Sequence, residues 1–177
     1  MPESPNVWFR AALDRYERPF IRYAVSITGE LEPARDAVQD TFIRLSREDP
    51  SRMDGHLAQW LFTVCRNRAL DFRRKRNRVI PMNDHHAETC VSAHPQPSAV
   101  LEEKETAGRV ARMLDDLPEN QREVIRLKFQ HDLSYRAISD VTGLSVGNVE
   151  FLIHTGIKTL RQVWAREATL CNSMNQN

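Results

Sequence analysis

Residues 133–161, LSYRAISDVTGLSVGNVEFLIHTGIKTLR, constrain the fold more than any other stretch of this chain. Ser134 is placed to cap a first helix, and Gly143 suits the left-handed conformation that often follows a last helical turn. Ser145 is placed to cap a second helix, whose apolar residues recur at steps of three and four and predict one buried face. Those apolar residues are Val146, Val149, Ile153, Ile157, Leu160 and Trp164. Two helical patterns around a tight turn predict a helix-turn-helix.

The face of the second helix opposite its apolar stripe is free to enter a major groove of DNA. Its predicted base-reading residues are Ser145, Asn148, Phe151, Leu152, Thr155 and Lys158. A helical hairpin with one apolar stripe can equally be a packing unit, so DNA binding needs support from a basic surface elsewhere. The second helix supplies little of that surface, because its charged residues are Glu150, Lys158 and Arg161.

Positive charge is concentrated in the first part of the chain. Residues 1–80 carry fifteen Arg and Lys against eleven Asp and Glu, residues 81–107 one against five, and residues 108–177 nine against eight. The run 66–78, RNRALDFRRKRNR, holds seven Arg and Lys against one acid, Asp71, so pairing within the helix cannot neutralise it. A solvated charged face is the simpler explanation of such a run. Phosphates would relieve its repulsion with release of counterions, and we therefore favour nucleic-acid binding.

The first half of the chain is predicted to form three amphipathic helices. The first covers about residues 7–28, and Pro19 is expected to bend it or to divide it in two. The second covers residues 34–47, and the third covers about residues 57–78. The second helix leaves its polar residues outside and packs through an apolar set. That set is Ala37, Val38, Phe42 and Leu45.

Residues 80–99 contain prolines and polar residues without periodicity, which is typical of a flexible linker. Residues 100–170 form a second helical domain, and residues 171–177 form a tail that is expected to fray. No segment reads as a strand. The sequence thus predicts an all-α fold of two small helical domains, 1–79 and 100–170, with the helix-turn-helix at the end of the second.

Several classes of protein are disfavoured. No apolar run is long enough to span a membrane and no signal-peptide core is present, so we expect a cytoplasmic protein without membrane insertion. Three widely spaced cysteines are not expected to form a disulfide framework, and Cys65 falls in an apolar helical pattern as a small core residue. No nucleophile–base pair or phosphate-binding loop is present, which argues against an enzyme and against a cofactor.

The linker holds one cluster of residue types that ligate metals. Its members are His85, His86, Cys90 and His94. Their spacing is compatible with a zinc or redox site, but no CxxC pair or second cluster accompanies them. We prefer a polar linker without a metal as the interpretation.

Four stretches of the chain together resemble a known family. They are Tyr16 to Gly29 (YERPFIRYAVSITG), Asp36 to Leu45 (DAVQDTFIRL), Trp60 to Arg74 (WLFTVCRNRALDFRR) and Leu114 to Arg161, which includes LDDLPENQREVIRL and SVGNV. In this order they resemble bacterial RNA polymerase sigma factors of the sigma-70 family, in particular the extracytoplasmic-function (ECF) group. The resemblance implies a protein that binds core RNA polymerase and directs promoter recognition, DNA opening and transcription initiation.

The resemblance assigns three surfaces to these tasks and implies control by an anti-sigma protein. The second helix would dock on the β′ coiled coil of core polymerase, with the β subunit as a further contact, through Asp36, Gln39, Asp40 and Arg44. The third helix and the loop before it would hold the −10 promoter element and capture a flipped base. The residues implied there are Arg52, His56, Arg66, Asn67, Arg73, Arg74 and Lys75. The second helix of the helix-turn-helix would read the −35 element.

The chain departs from the family pattern in that last helix, where family members often carry several Lys and Arg. The matching positions here are Glu150, Phe151, Leu152, Thr155, Ile157 and Thr159. Phe151 and Leu152 can contact thymine methyl groups while Asn148 pairs with adenine, or the two apolar residues can form a patch for a protein partner. The alternative functions are therefore a stand-alone helix-turn-helix regulator and a sigma-like interaction module with reduced DNA binding.

Overall fold

The computed structural model describes residues 5–53, 55–79 and 98–174 of the 177-residue chain. Within these ranges it consists of seven α-helices and one short 3-10 helix, Pro50–Arg52, and contains no strand. The α-helices are α1 (Pro5–Thr28), α2 (Leu31–Leu45), α3 (Leu57–Val79), α4 (Ser98–Asp115), α5 (Glu119–Phe129), α6 (Tyr135–Thr142) and α7 (Val146–Met174). The predicted all-α fold is confirmed.

The helices form two compact units, the first built from α1, α2 and α3 and the second around α4 to α7. This division agrees with the predicted pair of small helical domains. Helix α4 begins at Ser98, inside the predicted linker 80–99. The rest of that linker lies outside the described residues, and so do His85, His86, Cys90 and His94.

An aromatic cluster joins the three helices of the first domain. Phe20 of α1 is fully buried, and its ring meets that of Phe62 of α3 edge-on with 4.5 Å between the centroids. Phe42 of α2 packs against Phe20 at 6.2 Å, and Tyr23 packs edge-on against Phe62 at 5.2 Å. Aromatic pairs in such arrangements attract one another beyond the effect of apolar burial, so the cluster fixes how α2 and α3 lie against α1.

Helix α1 continues through Pro19, so of the two expected outcomes, a bend or a division of the helix, the division is wrong and the bend stays a prediction. A proline inside a helix removes one backbone hydrogen bond and costs about 3 kcal/mol. Phe20 and Tyr23, which follow the proline, are both buried in the core. Full burial of a Phe side chain is worth about 1.5–3 kcal/mol, so the two rings together offset the cost of the proline.

Helix α2 buries the apolar set that the sequence predicts, namely Ala37, Val38, Phe42 and Leu45. It begins at Leu31, earlier than predicted, because Gly29 ends α1 with a φ of 78° and the next helix starts almost at once. Pro33 falls in the first turn of α2, where its missing N–H would have no acceptor within the helix. The helix ends at Leu45, two positions before the predicted end.

The helix-turn-helix is present as predicted and consists of α6, a tight turn and the start of α7. Ser134 Oγ accepts a hydrogen bond from the backbone N–H of Ala137 at 3.1 Å, and Ser145 Oγ accepts one from the backbone N–H of Asn148 at 3.3 Å. Gly143 between the helices has a φ of 75°, which favours glycine. Both serines and the glycine therefore perform the capping roles expected from the sequence.

The apolar stripe of α7 is buried in its middle and open at its ends. Val149 and Ile153 are at most 3% exposed, whereas Val146 is 36% and Trp164 is 39% exposed. The prediction of burial is therefore wrong for Val146 and Trp164. Trp164 packs instead under the guanidinium group of Arg109 of α4, whose central carbon lies 4.3 Å from the ring centroid.

Gly156 permits a close approach between α7 and α5. A Cβ atom at this position would lie 2.5 Å from Cδ1 of Ile125. Beyond Gly156 the helix runs without a Pro or Gly to Met174, past the point at residue 171 where fraying was predicted. No residue in this stretch breaks a helix, so α7 includes residues 171–174.

Candidate functional site

Helix α3 presents one outward stripe of polar and charged side chains. Asn67, Asp71, Arg74 and Arg78 follow one another at steps of four, three and four, and all are exposed. Asp71 Oδ1 lies 3.7 Å from Nη1 of Arg74, so the stripe has one ion pair along it. Arg78 was not among the residues predicted from the sequence, although the same helical spacing identifies it. Of the other predicted residues of α3, Lys75 is exposed, and Arg66 and Arg73 are half-buried.

Two further cations of α3 are paired with acids from elsewhere in the first domain. Arg68 Nε lies 2.5 Å from Oδ2 of Asp40 in α2, and Arg76 Nη1 lies 2.5 Å from Oε1 of Glu30. Both acids lie outside α3, so the charge pattern of that helix alone does not reveal them. The excess positive charge of α3 is accordingly smaller than its composition suggests.

The turn before α3 is ordered by Asp49. Its Oδ1 accepts hydrogen bonds from the hydroxyl of Ser51 at 2.8 Å and from the backbone N–H of Ser51 at 3.0 Å, and these bonds lower the pKa of Asp49. Met53 is buried and anchors the turn to the core. The two predicted residues of this loop, Arg52 and His56, are exposed and available to a ligand.

The predicted docking face of α2 is exposed except at one position. Asp36, Gln39 and Arg44 are exposed, whereas Asp40 is half-buried and paired with α3. Ile43 is 43% exposed beside these polar residues and was not identified from the sequence. An open groove of about 400 Å³ runs along this face between α1 and α2. Its lining includes Phe9, Leu13, Gln39 and Ile43.

Only some of the residues predicted to contact DNA bases are exposed on the outward face of α7. Asn148, Phe151 and Lys158 are exposed, and Ser145 is exposed but serves as the helix cap. Thr155 is half-buried, and its hydroxyl donates to the carbonyl of Phe151 at 2.8 Å. Two exposed residues of this helix, His154 and Arg161, were missed, although they follow Phe151 and Lys158 at a step of three. Leu152, the remaining predicted residue, is half-buried.

Neither a metal site nor a membrane span is found in the part of the chain that the structure describes. Within it, no group of His, Cys, Asp and Glu is arranged to hold a metal ion. Of the helices in residues 5–53, 55–79 and 98–174, none combines the length and the apolar character needed to cross a membrane.

Two family models match the chain, one in each helical domain. The model described as sigma-70 region 2 matches residues 12–79, and the model described as sigma-70, region 4 matches residues 107–160. The basic helix α3 and the face of α2 therefore fall within the first match. The helix-turn-helix falls within the second.

Two curated relatives match this chain over most of their length. The chain is 34% identical to the ECF RNA polymerase sigma factor EcfG of Rhodopseudomonas palustris (strain TIE-1) over 130 residues, which cover 72% of this chain and 69% of that protein. It is 30% identical to the ECF RNA polymerase sigma factor RpoE of Cereibacter sphaeroides over 144 residues, which cover 81% of this chain and 77% of that protein.

Two solved structures have a similar fold. CnrH in complex with the cytosolic domain of CnrY matches with a TM-score of 0.57 and 26% identity, over 89% of this chain and 88% of that one. The sigma factor RpoE in complex with the anti-sigma factor NepR from Bartonella quintana matches with a TM-score of 0.64 and 24% identity, over 89% of this chain and 96% of that one. The second likeness supports the fold alone.

The chain belongs to the ECF group of the sigma-70 family of bacterial RNA polymerase sigma factors. It binds core RNA polymerase and promoter DNA and directs transcription initiation. The members of its family are transcription initiation factors rather than enzymes. A stand-alone helix-turn-helix regulator is not favoured, because the first domain also matches a sigma-70 region.

Proposed function

We propose that three different surfaces of this sigma factor bind core polymerase, the −10 element and the −35 element. The exposed face of α2, with Asp36, Gln39 and Arg44, docks on the β′ coiled coil of core polymerase. The outward stripe of α3, the cations next to it and the loop before the helix hold the −10 element. The residues proposed there are Arg52, His56, Arg66, Asn67, Arg73, Arg74, Lys75 and Arg78. The exposed face of α7 reads the −35 element, and Asp40 acts on docking indirectly, through Arg68.

The distribution of charge on α3 is the observation that carries this proposal. Asp40 and Glu30 pair with Arg68 and Arg76, whereas Arg74, Lys75 and Arg78 are exposed. Opening a duplex requires that the unpaired strand be held, and a cationic surface does this through the phosphates without any chemical step. Exposed cations at one end of a helix fixed in the domain core provide such a surface.

Reconstituted transcription with purified core polymerase tests this division. Asp36→Arg is expected to weaken binding to core polymerase, because it reverses a charge on the docking face. Arg74→Ala combined with Lys75→Ala is expected to spare core binding and to impair promoter opening, measured by permanganate reactivity of unpaired thymines. Arg18→Ala, which removes an exposed cation from α1, is the matched control and should change neither. Equal loss of core binding in both test variants would contradict the division.

The proposal includes an anti-sigma partner and a cytoplasmic location, where the polymerase acts. In its solved structure, RpoE of Bartonella quintana is bound to an anti-sigma factor. In this chain, the groove between α1 and α2 with the exposed Ile43 offers an apolar surface beside the docking face. An anti-sigma protein bound there would exclude core polymerase. A protein that co-purifies with the chain should therefore be displaced by excess core polymerase, and simultaneous binding of both would contradict this part of the proposal.

A further inference from the structure

We infer that Phe151 recognises a thymine methyl group in the −35 element, next to an adenine that Asn148 recognises. Helix α7 would then read adjacent A·T base pairs through one apolar and one amide contact. The inference rests on the proposed role of α7 in reading DNA. It names the two residues that determine its sequence preference.

Phe151 is an exposed aromatic residue on a helix whose opposite face is packed in the second domain. Its side chain is 62% exposed, although Val149 and Ile153 on either side of it in sequence are buried. Among the described residues, no aromatic ring stacks against it. Because the opposite face of α7 is packed in the core of the second domain, the Phe151 ring is held outward, and its exposed part can be covered by a partner molecule.

The chemistry of the major groove fits these two side chains. Thymine presents its C5-methyl group there, and adenine presents N7 and N6, which an Asn amide can bind in a bidentate manner. Asn148 is exposed and lies three positions before Phe151. Three residues of an α-helix rise about 4.5 Å, which is close to the separation of about 3.4 Å between stacked base pairs. The two side chains can therefore reach neighbouring base pairs.

The surroundings of Phe151 favour DNA over a protein partner. Lys158 and Arg161 are exposed on the same helix, two and three turns further along, where they can contact phosphates. Leu152 is half-buried, so the apolar surface consists mainly of one phenyl ring. A protein-docking patch is usually a few hundred Å² of continuous apolar surface. A single ring, with two cations two and three turns away on the same helix and the exposed Glu150 next to it, fits one methyl group in a DNA groove better than it fits an apolar protein patch.

Replacement of thymine by deoxyuracil tests the inference, because it removes the methyl group and leaves base pairing intact. The probes are duplexes selected by the holoenzyme from a library randomised in the −35 element, each then substituted at one thymine. For wild-type holoenzyme we expect one position where deoxyuracil weakens binding about fourfold, equivalent to about 0.8 kcal/mol. In Phe151→Ala holoenzyme the thymine and deoxyuracil duplexes should bind equally.

Phe129→Ala is the matched control, because Phe129 is 61% exposed at the end of α5 and carries no proposed role. This variant should keep the fourfold preference. If Phe151→Ala also keeps it, or if wild-type holoenzyme shows no methyl preference at any position of a selected −35 sequence, the inference is overturned while the reading role of α7 stands. If the selection yields no −35 preference at all, the proposed role of α7 fails, and the inference fails with it.

Discussion

Asp40 of α2 and Arg68 of α3 form an ion pair in which Oδ2 lies 2.5 Å from Nε, and both side chains are about one third exposed. The guanidinium of Arg68 also lies over the ring of Phe72, with its carbon 5.1 Å from the centroid. The pair joins the proposed docking helix to the helix proposed for the −10 element. Asp40 is therefore a poor position at which to test docking, since its replacement also removes the partner of Arg68.

A double-mutant cycle should show that Asp40 and Arg68 are coupled. Asp40→Asn is expected to lower the free energy of unfolding by about 0.5–1 kcal/mol, a modest value because solvent screens the pair. In an Arg68→Gln background the same substitution should cost almost nothing, because the partner is already absent. Urea unfolding of the four proteins measures the coupling. Additive effects of the two substitutions would show that the ion pair contributes no stability.

Gly156 and Ile125 provide a second pair whose energetics can be tested. Gly156→Ala would place its Cβ 2.5 Å from Cδ1 of Ile125, and we expect a net loss of about 1–2 kcal/mol despite the better helix propensity of alanine. Ile125→Val removes the obstructing Cδ1 atom. In that background Gly156→Ala should stabilise the protein by up to about 1 kcal/mol. The same sign of effect in both backgrounds, measured by urea unfolding, would contradict the proposed steric conflict.

Arg109 is expected to hold α4 against α7 through two contacts. Its guanidinium lies over the ring of Trp164, and its Nε donates to the carboxylate of Glu167. Arg109→Ala should increase hydrogen exchange at the amides of α4, equivalent to about 1–2 kcal/mol of lost local stability. Arg109→Lys should not restore protection, because an ammonium group cannot stack on the indole and bind the carboxylate in the same way. Full protection in the lysine variant would show that charge alone suffices.

Local sequence signals predict the helices and caps of this fold well. Ser134, Ser145 and Gly143 act through hydrogen bonds and backbone conformation within a few residues, so their roles could be read from the sequence. Periodicity also identified the buried face of α2. These features depend on neighbours along the chain. The continuation of α1 through Pro19 could not be predicted in this way, because it depends on the burial of aromatic residues against other helices.

The candidate site was less predictable, since its charges are set by contacts between helices. Arg76 and its partner Glu30 are separated by 46 residues, and nothing in the charge pattern of α3 indicates which distant acid lies beside it. Asp40 was likewise predicted on an exposed face, and the charge pattern of α2 does not indicate that Arg68 of α3 lies beside it. Trp164 was expected in the core because of its spacing, whereas packing against Arg109 leaves it partly exposed.

Cys65 should be unreactive in the folded protein. Its thiol is fully buried, and this burial raises its pKa to about 12, although a hydrogen bond with the Thr41 hydroxyl acts in the opposite direction. In a Cys90→Ser, Cys171→Ser variant, in which Cys65 is the one cysteine left, a disulfide reagent is expected to react slowly near neutral pH and rapidly after addition of guanidinium. Rapid reaction without denaturant would contradict the burial.

The same raised pKa predicts that stability depends on alkaline pH. The unfolded chain ionises its thiol at the ordinary pKa of 9.0, whereas the folded protein retains the proton up to about pH 12. The contribution of Cys65 is therefore fully present below pH 9.0 and is lost as the pH rises toward 12, by about 1.4 kcal/mol per pH unit. Cys65→Ala lacks the ionisable group but keeps every other residue that titrates in this range. Its free energy of unfolding should fall less steeply above pH 9.0, and parallel curves for the two proteins would show that the thiol titrates alike in both states.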